Sequence, residues 1–365
     1  LIVNKIYKKK KLKHCIDKSV LNNKINFWTR NKSFILVKSS NLITKNLNKI
    51  FYKIRIKTIP ILTSKNYPEV NISCLLKYIF IKYFSYIFKK FFIKKRSLWK
   101  ISTTKITLPN ILNKKNFLMK SKILTPPLDF EWADPFIFRN NQKDYIFFEN
   151  NDLKLNRGKI SCGLLYKNKL INVKDVLIFK YHLSYPFLWR YKRNIFLIPE
   201  SSSNKSIQIW KSTNFPYKWK IFKTIFKNEY CCDTTIITDN KKNNWLFTNK
   251  SNDHTDDPNN ELYVYKIIGN FDQFIPHKLN PVITDCRIAR NAGNLNFKDI
   301  ILRPSQINDS SGYGLGVNIN KITSLSLENY EEKIIKKIYP LIQHKFNGLH
   351  HISNAQNRLV FDIRK

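Results

Sequence analysis

At 365 residues with 43% hydrophobic content, the chain carries enough apolar side chain for one large domain and something smaller, which excludes disorder throughout. A formal charge of +40 would ordinarily suit nucleic acid or an anionic membrane. The excess is mostly Lys in a background rich in Asn, Ile, Phe and Tyr, a drifted composition whose lysines sit on solvated faces, so nucleic acid is not the expected partner.

Residues 1–97 read as a basic N-terminal region, either the remnant of an upstream domain or a docking element. Asp17 and Glu69 are its only acids. The chain opens on Leu1, and its first residues lack the small-residue cleavage site of a signal peptide, so a cytoplasmic location is expected. Cys15, Cys74, Cys162, Cys231, Cys232 and Cys286 form no CxxC pair and read as reduced thiols. Short β-prone runs such as SFILVKSS and FYKIRIKTIPIL lie between Lys and Asn clusters. Ile72 to Lys95 is predicted as a helix rich in aromatic residues. Its lysines leave no apolar run of about 18 residues, so it is not expected to span a bilayer. Docking on the following domain is the expected role, and peripheral contact with a membrane through residues 72–95 is the alternative.

From about residue 98 the pattern changes to short strands. Glu131 to Asn150, EWADPFIFRNNQKDYIFFEN, is a strand, a polar turn and a second strand, and degraded copies begin at Ser184, Cys232, Arg290 and Leu349. A hairpin alone cannot bury its apolar face. Five copies, each with further strands between them, therefore predict an all-β fold, a five-bladed β-propeller over 98–365 with a basic, partly helical N-terminal extension. The stretch around Trp99 is expected to complete the last blade.

In a propeller the starts of the inner strands converge on the axis, so polar residues there form a common site although far apart in sequence. Asp134, Glu200 and Asp233 are the carboxylates so placed, candidates for acid, base or hydroxyl-accepting roles. Arg290, Arg303, Gln306 and His350 are candidate ligand-binding groups, with Trp132 and Trp189 as walls for a sugar ring. Asp134 before Pro135 and Asp233 before Thr234 would equally serve as turn caps. The two arginines stand out in a chain that prefers Lys, because a planar fork suits bidentate pairing, in a site or in a structural ion pair. His350 and His351 are adjacent, so on a strand at most one would face the axis. No metal site is assigned, and the cofactor is unknown from sequence.

The motifs WADPFIF with YIFFE, HLSYPF with IPE, DTT before WLFT, ARNAG, RPSQ followed by YG, and GLHHIS come in the order that resembles the N-terminal domain of plant glucosamine inositolphosphorylceramide transferases and its bacterial relatives. The likeness runs from about Trp99 to Asp362. That domain is in turn similar to the five-bladed propellers of family 43 glycoside hydrolases, whose first-blade Asp before Pro is a general base, the position of Asp134. The resemblance also implies a second Asp opening blade two and an acid Glu opening blade three, where this chain has Tyr185 and Asp233. It implies a role in surface glycan or glycolipid metabolism, with sugar transfer carried by a separate domain. The expected function is a propeller that binds a carbohydrate or sugar nucleotide. An active glycoside hydrolase is one alternative, and a basic scaffold for nucleic acid or an anionic membrane is the other.

Overall fold

The computed structural model describes residues 2–7, 12–21, 28–54, 56, 59–60, 72–74, 76–77, 79–81, 83–84, 98–113, 117–251, 257–297, 300–309, 312–340 and 346–365. Strands β1 (Ile2–Tyr7), β2 (Leu12–Lys18) and β3 (Ile59–Pro60) form a small sheet, and α1 (Trp28–Phe51) is a helix. The run SFILVKSS, expected to be β-prone, lies inside α1. Local preference loses there to packing: Phe34, Lys38, Leu42, Lys45 and Asn46 recur at helical spacing and are all buried. Lys38 donates to Glu261 at 2.8 Å with both side chains 1% exposed, and the Cys286 N–H donates to the Val20 carbonyl at 2.8 Å. The helix that docks on the next domain is therefore α1. Within the segment expected to dock, the described residues from 72 to 84 are helical, with Ile72, Phe80 and Phe84 exposed; the remainder of 72–95 lies outside the described residues.

Among the described residues, twenty strands follow. They are β4 (Trp99–Lys105), β5 (Lys122–Leu124), β6 (Phe130–Asn140), β7 (Lys143–Asp152), β8 (Arg157–Tyr166), β9 (Lys169–Leu177), β10 (Ser184–Tyr191), β11 (Asn194–Glu200), β12 (Ile207–Asn214), β13 (Lys218–Ile225), β14 (Tyr230–Thr238), β15 (Asn244–Ser251), β16 (Leu262–Ile268), β17 (Gln273–Pro276), β18 (Gly293–Phe297), β19 (Ile300–Asp309), β20 (Gly312–Leu325), β21 (Tyr330–Ile338), β22 (Ile352–Ala355) and β23 (Arg358–Arg364). Blades 1, 2 and 3 are the antiparallel sheets β6 to β9, β10 to β13 and β14 to β17; blade 4 is β18 to β21. Blade 5 takes β22 and β23 from the C-terminus and β4 and β5 from the start of the domain. Trp99 pairs with Arg364 and Lys105 with Arg358, so the stretch around Trp99 completes the last blade as its sequence suggests.

Burial falls off from the axis outward. Phe136 and Ile137, consecutive on inner strand β6, are both buried because neighbouring blades cover both faces, whereas outer strands β9 and β13 are mostly exposed and carry the lysines. Apolar clusters fill each junction in turn. Phe147, Phe196 and Leu246 join blades 1, 2 and 3; Phe247 and Ile322 join 3 and 4; Leu295 and Phe361 join 4 and 5; and Ile101 and Phe148 join 5 and 1.

Inner strands β18 and β22 also pair directly and in parallel, Gly293 with Ile352 and Asn294 with Ser353. Gly293 makes this approach feasible, with φ +98°; a Cβ there would strike the Ile352 carbonyl oxygen and lie 2.7 Å from His351 Nε2. Gly293→Ala is expected to destabilise the domain by about 3 kcal/mol or more, read by urea unfolding. A loss below about 1 kcal/mol would mean that the two blades do not approach this closely.

Candidate functional site

The same device opens the inner strand of three successive blades. Asp134, Tyr185 and Asp233 have φ of +50°, +46° and +46°, and in each case the pairing register shifts at that point: between Ala133 and Phe136, Ser184 and Phe187, and Cys232 and Thr235. An L residue in this region is held at a local cost of order 1 kcal/mol, offset by the surrounding structure. A bulge of this kind re-aims a side chain, here toward partners on other blades. Asp134 Oδ2 accepts the Tyr185 N–H at 3.2 Å, the Asp233 N–H donates to Glu200 at 3.3 Å, and the Tyr185 hydroxyl accepts the Gly293 N–H at 2.8 Å. Tyr185 is fully buried and joins blade 2 to blade 4 across the axis.

Blades 1 and 5 supply the first group of charges. His350 Nε2 lies 3.2 Å from Asp134 Oδ1, and its Nδ1 lies 3.0 Å from Asp362 Oδ2. Asp362 also accepts the His350 and His351 N–H groups at 3.0 Å each and the Asp134 N–H at 3.1 Å. Burial alone would discharge His350, but Asp362 and Asp134 outweigh it and push its pKa up to about 10. Burial alone would likewise raise the Asp134 carboxyl, whereas hydrogen bonding and charge from His350, then His351, hold it well below the ordinary range. Both histidines reach Asp134, since His351 Nδ1 lies 3.4 Å from Asp134 Oδ1. The alternation expected of a strand does not apply, because the pair precedes β22. Asp134, His350 and Asp362 bring three donor atoms within 4.8 Å of one another. With its pKa raised by the two carboxylates, the His350 ring would have to give up a proton to serve as a ligand there.

Blades 2, 3 and 4 supply the second group. Arg290 Nε donates to Asp233 Oδ2 at 2.6 Å, Arg290 Nη1 donates to Asn259 at 3.1 Å, and Arg290 Nη2 lies 3.9 Å from Glu200. Gln306 Nε2 reaches Asp233 at 3.3 Å. Burial and the Asp233 charge push the Glu200 carboxyl well above its usual range, against the opposing pull of Arg290. Burial, Asp134 and Glu131 do the same to Glu149, which Ala133 faces across β6 and β7 as Ser184 faces Glu200 across β10 and β11. The Tyr313 ring links the two groups, 5.3 Å from the His350 ring and 5.2 Å from the Arg290 guanidinium. Glu149, Glu200 and Arg290 keep 13%, 14% and 14% of their side chains exposed, so the assembly opens to solvent on their side.

Asp134, Glu200, Asp233, Arg290, Gln306 and His350 thus come together. Trp132 and Arg303 do not join them. Trp132 is buried against Phe148 and donates to Asn150 at 3.1 Å, in the apolar junction between blades 5 and 1, because the bulge at Asp134 breaks the two-residue alternation that would have put both on one face. Arg303 is 1% exposed and clasps Glu332 through 2.8 and 2.6 Å bonds. It is a structural ion pair behind the segment that carries Arg290. Trp189, stacked on Tyr191, lines a separate cavity further along the axis. Sequence reasoning missed Glu149, Tyr313 and Asp362. Glu149 had a signal, as the repeat equivalent of Glu200; for Tyr313 and Asp362 nothing in the repeat set them apart.

These elements define a five-bladed β-propeller with a charged, half-open site at the end of its axis where the inner strands begin. Residues 120–353 match the family described as glucosamine inositolphosphorylceramide transferase 1, N-terminal, and the chain belongs to that family. It is 29% identical over 210 residues to a glucosamine inositolphosphorylceramide transferase 1 of Oryza sativa subsp. japonica, covering 55% of this chain and 27% of the relative. The protein of the same name from Arabidopsis thaliana is 29% identical over 211 residues, covering 55% of this chain and 26% of the relative. The chain therefore spans about a quarter of the length of these relatives. Among solved structures, it is similar to a thermostable family-43 glycoside hydrolase at 10% identity and a TM-score of 0.42, covering 66% of this chain and 91% of that one. The catalytic domain of the Coprinopsis cinerea GH62 α-L-arabinofuranosidase matches at 12% identity and a TM-score of 0.48, covering 66% and 94%.

Proposed function

We propose that the axial site binds the sugar portion of a glycan or glycolipid intermediate, with an amino sugar as the favoured ligand. The observation that carries this reading is the convergence of Asp134, Glu200, Asp233, Arg290 and His350, from all five blades taken with Gln306 and Asp362, around Tyr313. Fixed acceptors, a guanidinium and an aromatic ring suit the hydroxyls and faces of a sugar. The group is net acidic on a chain of charge +40: even leaving out Glu149 and Glu200, whose carboxyls are pushed toward the neutral form, Glu131, Asp134, Asp233 and Asp362 outnumber Arg290 and His350. An ammonium fits that field better than the diphosphate of a sugar nucleotide. Glucosamine, which the relatives carry in their name, is the first sugar to try.

Binding is favoured over hydrolysis by the state of Asp134. A general base works best with a pKa near the operating pH, and His350 and His351 hold Asp134 far below it. Tyr185 occupies the blade-two position where the glycosidase pattern places a carboxylate, and Asp233 is engaged by Arg290. Titration calorimetry with glucosamine, glucose and UDP-N-acetylglucosamine tests the reading. Glucosamine is expected to bind most tightly, and Arg290→Ala and Glu200→Gln are each expected to weaken it about tenfold or more. Equal affinity in wild type and both variants would remove the site. Release of reducing sugar that disappears in Asp134→Asn would reinstate the hydrolase.

A further inference from the structure

We propose that the opposite end of the axis is a second binding site, for a phosphate-bearing sugar or polyol. Beyond Asp134, Tyr185 and Asp233 the inner strands run on to line a separate cavity of ≈ 1040 Å³. That is at the upper end of the roughly 300–1,000 Å³ typical of small-molecule sites. None of Asp134, Glu200, Asp233, Arg290 or His350 lines it. The buried Tyr185, tied to Gly293, separates the two chambers, so this inference does not rest on the reading of the first site.

The rim of the cavity is basic, and two of its charges repeat. Arg139 and Arg190 close the inner strands of blades 1 and 2 at equivalent positions of the repeat, FIFR and FLWR, in a chain that elsewhere prefers Lys. A third cation, Lys242, comes from the hairpin of blade 3. Two carboxylates offset part of this charge, Asp144 beside Arg139 and Asp239 on the cavity lining itself, and they leave Arg190 and Lys242 as the cations open to a ligand. Asp239 is occupied by its own hairpin, accepting from Asn243 and from the Trp245 ring at 2.9 Å, and Asp144 sits 3.5 Å from Arg139. Among the described residues Arg190 and Lys242 have no carboxylate partner. Arg190 is nonetheless held in place: it donates to Asn140 at 2.8 Å and lies 5.1 Å from the centre of the Phe138 ring. One bond orients the guanidinium fork while its other donors stay uncommitted, which is the arrangement that takes a phosphate in two parallel hydrogen bonds. Behind the rim, Trp189 gives the cavity an aromatic wall and Asn294 and Asn296 give it amides, which suit ring faces and hydroxyls.

The full chain should be titrated with glucose 6-phosphate, inorganic phosphate and glucose, with phosphorus resonances and calorimetry as readouts. Glucose 6-phosphate is expected to bind more tightly than inorganic phosphate, and its affinity is expected to fall with added salt. Arg190→Ala should weaken it about tenfold or more, and Arg190→Lys should restore only part, because a point charge lacks the fork. Lys242→Ala, in an exposed turn, supplies an independent second variant. Arg290→Ala, which disables the first site, should leave this binding unchanged. No phosphate-dependent binding, or binding unaffected by Arg190→Ala and Lys242→Ala together, overturns the proposal. Loss of binding in Arg290→Ala also overturns it by assigning the ligand to the other chamber, and equal affinity for inorganic phosphate overturns the sugar or polyol part.

Discussion

Arg303→Ala is expected to lower the unfolding free energy by about 3–5 kcal/mol, the cost of leaving one member of a buried ion pair alone. The guanidinium is 1% exposed and all three of its nitrogens are used. Nε and Nη2 bind Glu332 at 2.8 and 2.6 Å, Nη2 also reaches the Ile288 carbonyl at 2.7 Å, and Nη1 reaches the Ala289 carbonyl and Asn291 Oδ1 at 3.2 Å each. Alanine would leave the Glu332 carboxylate, whose side chain is 8% exposed, with the Tyr330 hydroxyl but without its cation, and would release two backbone acceptors. Lysine should not rescue the fold, since one ammonium cannot reproduce the fork. Removing the charge from both partners, as Arg303→Met with Glu332→Leu, should recover much of the loss, because the stranded carboxylate goes with it. The same clasp holds residues 288 to 291, so Arg303→Ala should also impair sugar binding through Arg290 even where the variant remains folded. A loss under about 1 kcal/mol in urea unfolding would show that the clasp contributes no more than a surface pair.

The difference between Arg290 and Arg303 marks how far the sequence could be read. Both stand out in a Lys-rich chain, and both do form ion pairs. Which one faces the axis depends on the blade: Arg290 enters just ahead of inner strand β18, whereas Arg303 lies on the second strand, β19, and turns back against the entering segment. The repeat itself was legible because burial on both faces of the inner strands demands the same apolar runs, and because the bulge recurs at Asp134, Tyr185 and Asp233. The bulge also limited the reading. It breaks the alternation that relates Trp132 to Asp134, so a residue two positions away turns into the junction between blades 5 and 1. In the N-terminal region the β-branched residues around Ile35 and Val37 suggested strand, and only contact with Glu261, more than two hundred positions away, makes a helix with Lys38 and Leu42 inward the better solution.

A plot of stability against pH should show a declining alkaline arm that belongs to His350. Its folded pKa is raised from 6.5 to about 10, so its stabilising contribution is fully present below about pH 6.5 and is lost as pH rises through about 10. Asp134 runs the other way: its folded pKa is depressed from 3.8, so its contribution is present above that value and lost as pH falls below it. Between these limits the triad of Asp134, His350 and Asp362 should be at full strength. His350→Gln removes the cation and leaves two buried carboxylates facing each other without it. At pH 6 the variant should therefore be less stable than wild type by about 3–5 kcal/mol. The gap should close as pH approaches 10, because the wild-type ring is then losing the proton that distinguished it. Urea unfolding of both proteins between pH 5 and about 10 measures this directly. A wild-type curve that stays flat over that range, or a gap that does not narrow, would mean that His350 is neutral in the fold and acts there only as a hydrogen-bonding ring.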